Sequence, residues 1–332
     1  MPASIRKTCI TRLRQTTNMR FRYLSLVCIL ALSVFLGETA RAISVSPAIV
    51  DVSVDMGQRK EFSVLVTNEE AKTLTYALSI QKFIPQGDSG RAQFLPPQDT
   101  SGLPDWLFLD APTITLRSGE SKRVSVSLRV PDDASSGGHY AAIFFTQTNL
   151  DTALGQAVSA IPRIGVLVFT TVNGTMIERL VLNQASVEQV SGSYLPVRFV
   201  VDIENQGNIH VQPAIRIDVT NVFGQAVATI DGNDTRGRIL PGSKRLFTSN
   251  WTKETIQSDG SFWSELKREW RNGAIGWYQA KIQVSSRVGA AGEVMVSFQV
   301  WPWRSISVLI VSLLIVISVL LSARRARRRR FG

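Results

Sequence analysis

The chain has 332 residues and a formal net charge of +11, long enough for two domains with separate apolar cores. The charge is terminal: residues 1–42 carry +6 and residues 324–330 another +6, which leaves residues 43–323 at about −1. A near-neutral middle argues against nucleic acid as its partner, and the only cysteines, Cys9 and Cys28, leave the chain beyond residue 42 without a disulfide, a thiol nucleophile or a cysteine metal site.

Residues 1–42 read as a secretory leader. Arg20 and Arg22 make a basic start, Leu24 to Leu36 an apolar run, and Ala40-Arg41-Ala42 a small-residue cleavage site, with the cut expected after Ala42. Met19 offers an alternative start, and an uncleaved anchor is the competing reading, which the shortness of the apolar run opposes.

Ser44 to Val52 then predicts an edge strand, the only kind that accommodates Pro47. Asp55-Met56-Gly57-Gln58 turns into a strand from Phe62 to Val66 that stops at Asn68, and Leu74, Tyr76, Leu78 and Ile80 alternate through the next. Pro85 to Pro104 is too long and polar for a hairpin, so it predicts a functional loop or a crossing between sheets. Trp106 to Leu109 re-enters the fold. Leu116 and Val124 flank Ser118-Gly119-Glu120-Ser121, which predicts a β-hairpin. Val124, Val126, Leu128 and Val130 alternate with polar residues until Pro131 stops the strand, and Tyr140 to Phe145 reads as a strand buried on both faces. A soft loop, Asn149 to Gln156, leads to a last strand, Ile164 to Phe169. About seven strands at this spacing predict an immunoglobulin-like sandwich.

A second sandwich follows the same pattern. Val197 to Ile203 ends in the turn Glu204 to Asn208; Ile215, Ile217 and Val219 alternate; Val222 to Gln225 turns; Val227 to Ile230 returns. Ile239 to Lys244 resembles the Leu116-to-Lys122 turn, and Trp277 to Val284 with Val294 to Val300 closes the domain. One stretch breaks the β pattern: Asp259 to Trp270 predicts a short helix with Trp263, Leu266 and Trp270 on one face. It is either a lid over the sandwich edge or an aromatic contact surface for a partner, a glycan or the bilayer interface. From Ile306 to Leu321 the chain is apolar apart from serines, reaching with its flanks about 18 residues, or about 27 Å as helix. Trp301 and Trp303 fit an interfacial belt and the six arginines a positive-inside tail, so the bulk of the chain is expected outside.

The chain thus divides into a leader (1–42), two sandwiches (43–174 and 175–301), a membrane helix (304–323) and a basic cytoplasmic tail (324–332): an all-β protein with a C-terminal transmembrane helix. Catalytic chemistry is not legible in it. His139 and His210 fall in different domains and predict structural or surface roles, Asp132-Asp133 and Glu69-Glu70 predict solvated turns, and neither a phosphate loop nor a nucleophile elbow is present. No enzyme activity and no cofactor or metal are expected.

The stretches Ser44 to Gln58, Phe62 to Asn68, Leu116 to Pro131 and Gly137 to Phe145 are together similar to the peptidoglycan-binding domain of WxL-interacting proteins. More distantly they resemble the amino-terminal sandwich of periplasmic pilus chaperones. Val201 to Pro213 and the turn Val222-Phe223-Gly224 look like the domain that follows in such surface proteins. The resemblance implies a secreted two-sandwich protein held by one span, contacting a cell-envelope polymer or a surface protein. The alternative is a membrane-tethered chaperone for surface subunits.

Overall fold

The structure is a computed structural model that describes residues 43–148, 162–189, 194–253 and 261–330. The leader with its cleavage site, and the loop from Asn149 to Gln156, lie outside the described residues. Most of the rest is two β-sandwiches followed by one long helix.

In the first sandwich, one sheet runs in the order β1 (Ile43–Ser46), β3 (Arg59–Asn68), β8 (Ser121–Arg129) and β6 (Leu107–Leu109). The other runs β2 (Ile49–Val54), β10 (Arg163–Val172), β9 (Gly137–Gln147), β4 (Leu74–Gln86) and β5 (Arg91–Phe94), with β7 (Thr113–Leu116) against the start of β4. The period-two pattern places Val64 and Val66 of β3 with Val124, Val126 and Leu128 of β8 inside, facing Leu74, Tyr76, Ile143 and Phe145 of the other sheet. With no cysteine among the described residues, apolar burial carries this core, at about 1.5–3 kcal/mol for each large side chain removed from water.

Three local expectations need correction. The predicted Leu116–Val124 hairpin does not form: β7 bonds to β4 and β8 to β3, so the turn carries the chain from one sheet to the other. Ser44 to Val52 is two strands, not one. Pro47 breaks it, so β1 edges one sheet and β2 pairs in parallel with β10 at the edge of the other. Pro85 to Pro104 begins as strand: β4 reaches Gln86 and β5 returns against it, and α1 (Leu103–Trp106), one turn long, ends the segment.

The second sandwich sets β11 (Leu180–Gln189), β12 (Val197–Asn205) and β15 (Lys244–Trp251) against β14 (Ala226–Asp231), β13 (Ala214–Asn221), β16 (Gly276–Ser286) and β17 (Gly289–Val300). Phe199, Val201 and Ile203 meet Ile217, Val219, Ala280 and Ile282 in its core. Between β15 and β16 lies α2 (Phe262–Arg271), capped by Ser261, whose hydroxyl accepts from the Ser264 N–H. After β17 comes α3 (Trp303–Arg330), of which Trp303–Arg325 is long and apolar enough to cross a membrane and is not buried against the sandwiches.

Both sandwiches use the same bolt. Asn68 closes β3 and Asn205 closes β12, and both are fully buried. The Asn68 amide donates to the carbonyls of Leu116 and Lys72 and accepts from the Glu70 N–H; that of Asn205 donates to Ile239 and Ile209 and accepts from Gly207. Their main chains pair in the same way with Gly119 and Glu120, and with Gly242 and Ser243. Gly119 and Gly242 sit at φ +73° and +64°, where a side chain would be strained. The likeness of the two turns in sequence is therefore a likeness of hydrogen bonding.

Candidate functional site

The sandwiches meet along a row of side chains on the outer face of the β2–β10–β9–β4 sheet. Register sets Asp51 opposite Phe169 and Phe169 opposite Tyr140, and Phe83 of β4 joins them with its ring 5.9 Å from Tyr140. These positions alternate with the core residues of their strands, so the sheet has two apolar faces. That is why β9 reads as buried on both sides: Ala141, Ile143 and Phe145 point to the core, while Ala142 and Phe144 belong to a separate cluster with Phe83 and Phe169.

The second sandwich closes over this row. The His210 ring packs edge-on to Phe169 at 5.0 Å, and its Nε2 lies 3.2 Å from Asp51 Oδ2. Arg238 reaches the same carboxylate oxygen at 3.2 Å and lies over the Phe169 ring. Two main-chain bonds complete the joint: the Gly138 N–H donates to Asn208 O at 2.8 Å, and the Leu246 N–H to Asp88 O at 2.9 Å. Gly137 is required here. Its φ is +125°, and a Cβ would come within 2.7 Å of the Asn208 carbonyl. The hydrogen bond from His210, with the charges of His210 and Arg238, holds the Asp51 carboxyl below the ordinary carboxylate range against the opposing pull of burial. Burial pushes the Tyr140 hydroxyl well above the usual tyrosine range.

Beside the joint is a cleft of about 220 Å³, shared by both sandwiches. Phe83, Phe169, Leu167 and Leu240 give it an apolar floor; Arg91, Arg236, Arg238, Lys244 and Arg245 line it, and no carboxylate does. Burial draws the Arg245 guanidinium below its ordinary value, as expected of a cation held partly out of water. Arg236, at φ 51°, is the one non-glycine residue with positive φ among the described residues, and it closes a turn in which its N–H donates to Asn233 O. The arrangement can take a carboxylate or phosphate group by forked arginine hydrogen bonds. Nothing in it resembles a nucleophile with its base, and no group of three His, Cys, Asp or Glu side chains suited to a metal ion occurs among the described residues.

The histidines do not converge. His139 packs on Trp106 and bonds to Ser135 O, whereas His210 is built into the joint. The sequence reading missed Asp51, His210 and Arg238, which lie far apart along the chain. The available signal was the bulk of Tyr140, Phe144 and Phe169 at positions where a one-sided strand would be polar.

The helical stretch is α2, which begins at Phe262. It meets Tyr194 of the second sandwich and the first turn of α3 through its acidic face rather than through Trp263 and Trp270. Glu265 accepts from the Tyr194 hydroxyl at 2.6 Å, and Glu269, 1% exposed, accepts from the N–H groups of Arg304 and Ser305 in the first turn of α3. Trp263 and Trp270 face outward and Leu266 is half-buried. Trp301 and Trp303 sit at the start of α3 with their rings 6.4 Å apart.

No family model matches the chain, and no curated protein matches it. Among solved structures, the class 5 fimbriae chaperone CfaA is 12% identical, covering 77% of this chain and 98% of its own, with a TM-score of 0.38. The Salmonella enterica SafA pilin–SafB chaperone complex gives 8% identity, 79% and 99% coverage and a TM-score of 0.36. The Pseudomonas aeruginosa CupB2 chaperone gives 11%, 77% and 100%, and 0.34. Likeness this remote carries no functional conclusion; the immunoglobulin-like sandwiches stand on their own strand pairing.

Proposed function

We propose that this is a non-catalytic binding protein, tethered by α3 with its sandwiches on the extracytoplasmic side, whose inter-sandwich cleft takes an anionic group of a cell-envelope polymer or a surface protein. One observation carries the reading: five cations and no carboxylate line a cleft that both sandwiches must be docked to form. The orientation is supported by the arginines that follow the apolar run. The peptidoglycan assignment rests on the resemblance to WxL-interacting proteins, and the carboxylates of peptidoglycan peptides suit the cleft. A leader cut after Ala42 would leave a mature chain starting at Ile43, which amino-terminal sequencing of membrane-extracted protein checks.

The test is retention of the full-length chain, in detergent, on purified cell wall. The expected result is salt-sensitive retention, lost when Arg91→Glu and Arg236→Glu are combined. Retention unchanged in that double variant would remove the cleft from the proposal; no retention above an unrelated sandwich protein would remove the polymer. Co-purification of a strand-deficient subunit would instead favour the tethered chaperone. That alternative draws support from the edge of β8, where β6 pairs with three of nine residues and Asp110 bonds a fourth, Ser125, so that an added strand could pair along Ser121 to Val124.

A further inference from the structure

We infer that the second sandwich rests on the outer leaflet of the bilayer through an aromatic platform built from α2 and two strand ends, an inference that takes α3 as the membrane span. α2 is amphipathic with its polarity inverted. Its carboxylates turn inward to Tyr194 and to the first turn of α3, while Trp263 and Trp270 are left 73% and 79% exposed. Exposed Lys267 follows Trp263 by one helical turn, and a cation beside aromatics is the pattern of helices that lie among lipid headgroups.

Strand register brings further apolar surface to the same end. Gly276 pairs with Val300, the last residue before the Trp301-Pro302 link to α3, so Ile275 and exposed Trp277 flank the point where the chain enters the span. Asn221 pairs with Tyr278, which sets the β13–β14 turn beside Trp277 and leaves Phe223 at its tip, 83% exposed. Glu269 fixes the depth. It bonds to residues 304 and 305 and Glu265 lies 3.9 Å from the Arg304 guanidinium, so the inward face of α2 is held beside the first turn of α3. Indole rings are at home at that level, apolar body in the acyl boundary and N–H in the wet headgroups. Exposed aromatics tied to the first turn of a span have the bilayer as their nearest apolar surface.

The experiment reads depth on the full-length chain with Cys9 and Cys28 replaced by serine, reconstituted in phosphatidylcholine vesicles. An environment-sensitive fluorophore is placed in turn at Trp263→Cys, Phe223→Cys, Trp303→Cys and Val288→Cys. Val288 lies in the exposed β16–β17 turn at the opposite end of the sandwich. Lipids carrying a nitroxide just below the headgroup are expected to quench labels 263 and 223 several-fold more than label 288, independently of protein-to-lipid ratio. Quenching at 303 with none at 263 and 223 would overturn the platform and leave the span standing. No quenching at 303 would overturn the span itself, and the platform with it. Shielding at 263 and 223 that grows with protein density, without lipid quenching, would assign the surface to a second copy.

Discussion

Asn68 in the first sandwich and Asn205 in the second end equivalent strands and make equivalent bonds, yet their turns have different surroundings. Arg117 to Glu120 are exposed to solvent, whereas Leu240 packs on the aromatic row of the first sandwich and Pro241 is half-buried beside it. The same local chemistry is a closure in one domain and part of a joint in the other. A buried asparagine that satisfies three main-chain groups therefore says where a sandwich is locked; which lock is also a contact depends on what the neighbouring domain brings to it.

Removing the bolts separates these roles most strongly. Asn68→Ala strands the buried carbonyls it serves and is expected to cost the first sandwich roughly 2–4 kcal/mol, with the joint intact. Asn205→Ala is expected to destabilise the second sandwich by a similar amount and to loosen the joint as well. Denaturant unfolding followed domain by domain, with hydrogen exchange at Gly138 and Leu246, reads both; equal effects on the joint would contradict the comparison.

A smaller effect, about 1–3 kcal/mol, is expected for Gly137→Ala, which forces a side chain into left-handed backbone against Asn208 O. Both sandwiches should still fold while small-angle scattering detects a widened elbow. Smaller again is Asp51→Asn. Its carboxylate is 41% exposed, so solvent screening limits the change to at most about 1 kcal/mol. The pH dependence has a definite sign. The folded carboxyl is held below the unfolded value of about 3.9, so its stabilisation is complete above that value and is lost as pH falls through the lower folded one. Exchange at Gly138 should rise with acid in the native chain over this window, and Asp51→Asn should flatten that rise.

The smallest expected change has the opposite sign. Arg236→Gly relieves the positive φ and should stabilise the second sandwich by about 0.5–1 kcal/mol while weakening retention on cell wall. A variant that melts higher and binds less would separate the cleft's role from its upkeep.

Much of this architecture was legible along the chain because alternation marks each buried strand locally. The endings Phe62-x-Val64-x-Val66-x-Asn68 and Phe199-x-Val201-x-Ile203-x-Asn205 even announce the bolts. Partners across space were not legible. Ser118-Gly119 has the chemistry of a hairpin turn, and only the choice of β4 by β7 makes it a crossing. The cations of the cleft come from β5, the β14–β15 connection and β15, and none of these is marked as functional by itself. In α2 the spacing of Trp263, Leu266 and Trp270 identified the helix, but the buried face proved to be that of Glu265 and Glu269, whose hydrogen-bond partners lie at 194 and 304–305.

The grip of Glu269 on the start of α3 has a mechanical consequence. A sandwich hung on a slack stalk would sample a hemisphere above its anchor, whereas this one is clamped at the root. In the proposed orientation β12, about 26 Å from end to end at ~3.3 Å per residue, would separate the α2 end of the sandwich from the end that carries Lys244 and the cationic cleft. Anything docking there would then have to reach that height, and the thickness of a layer outside the membrane would select partners.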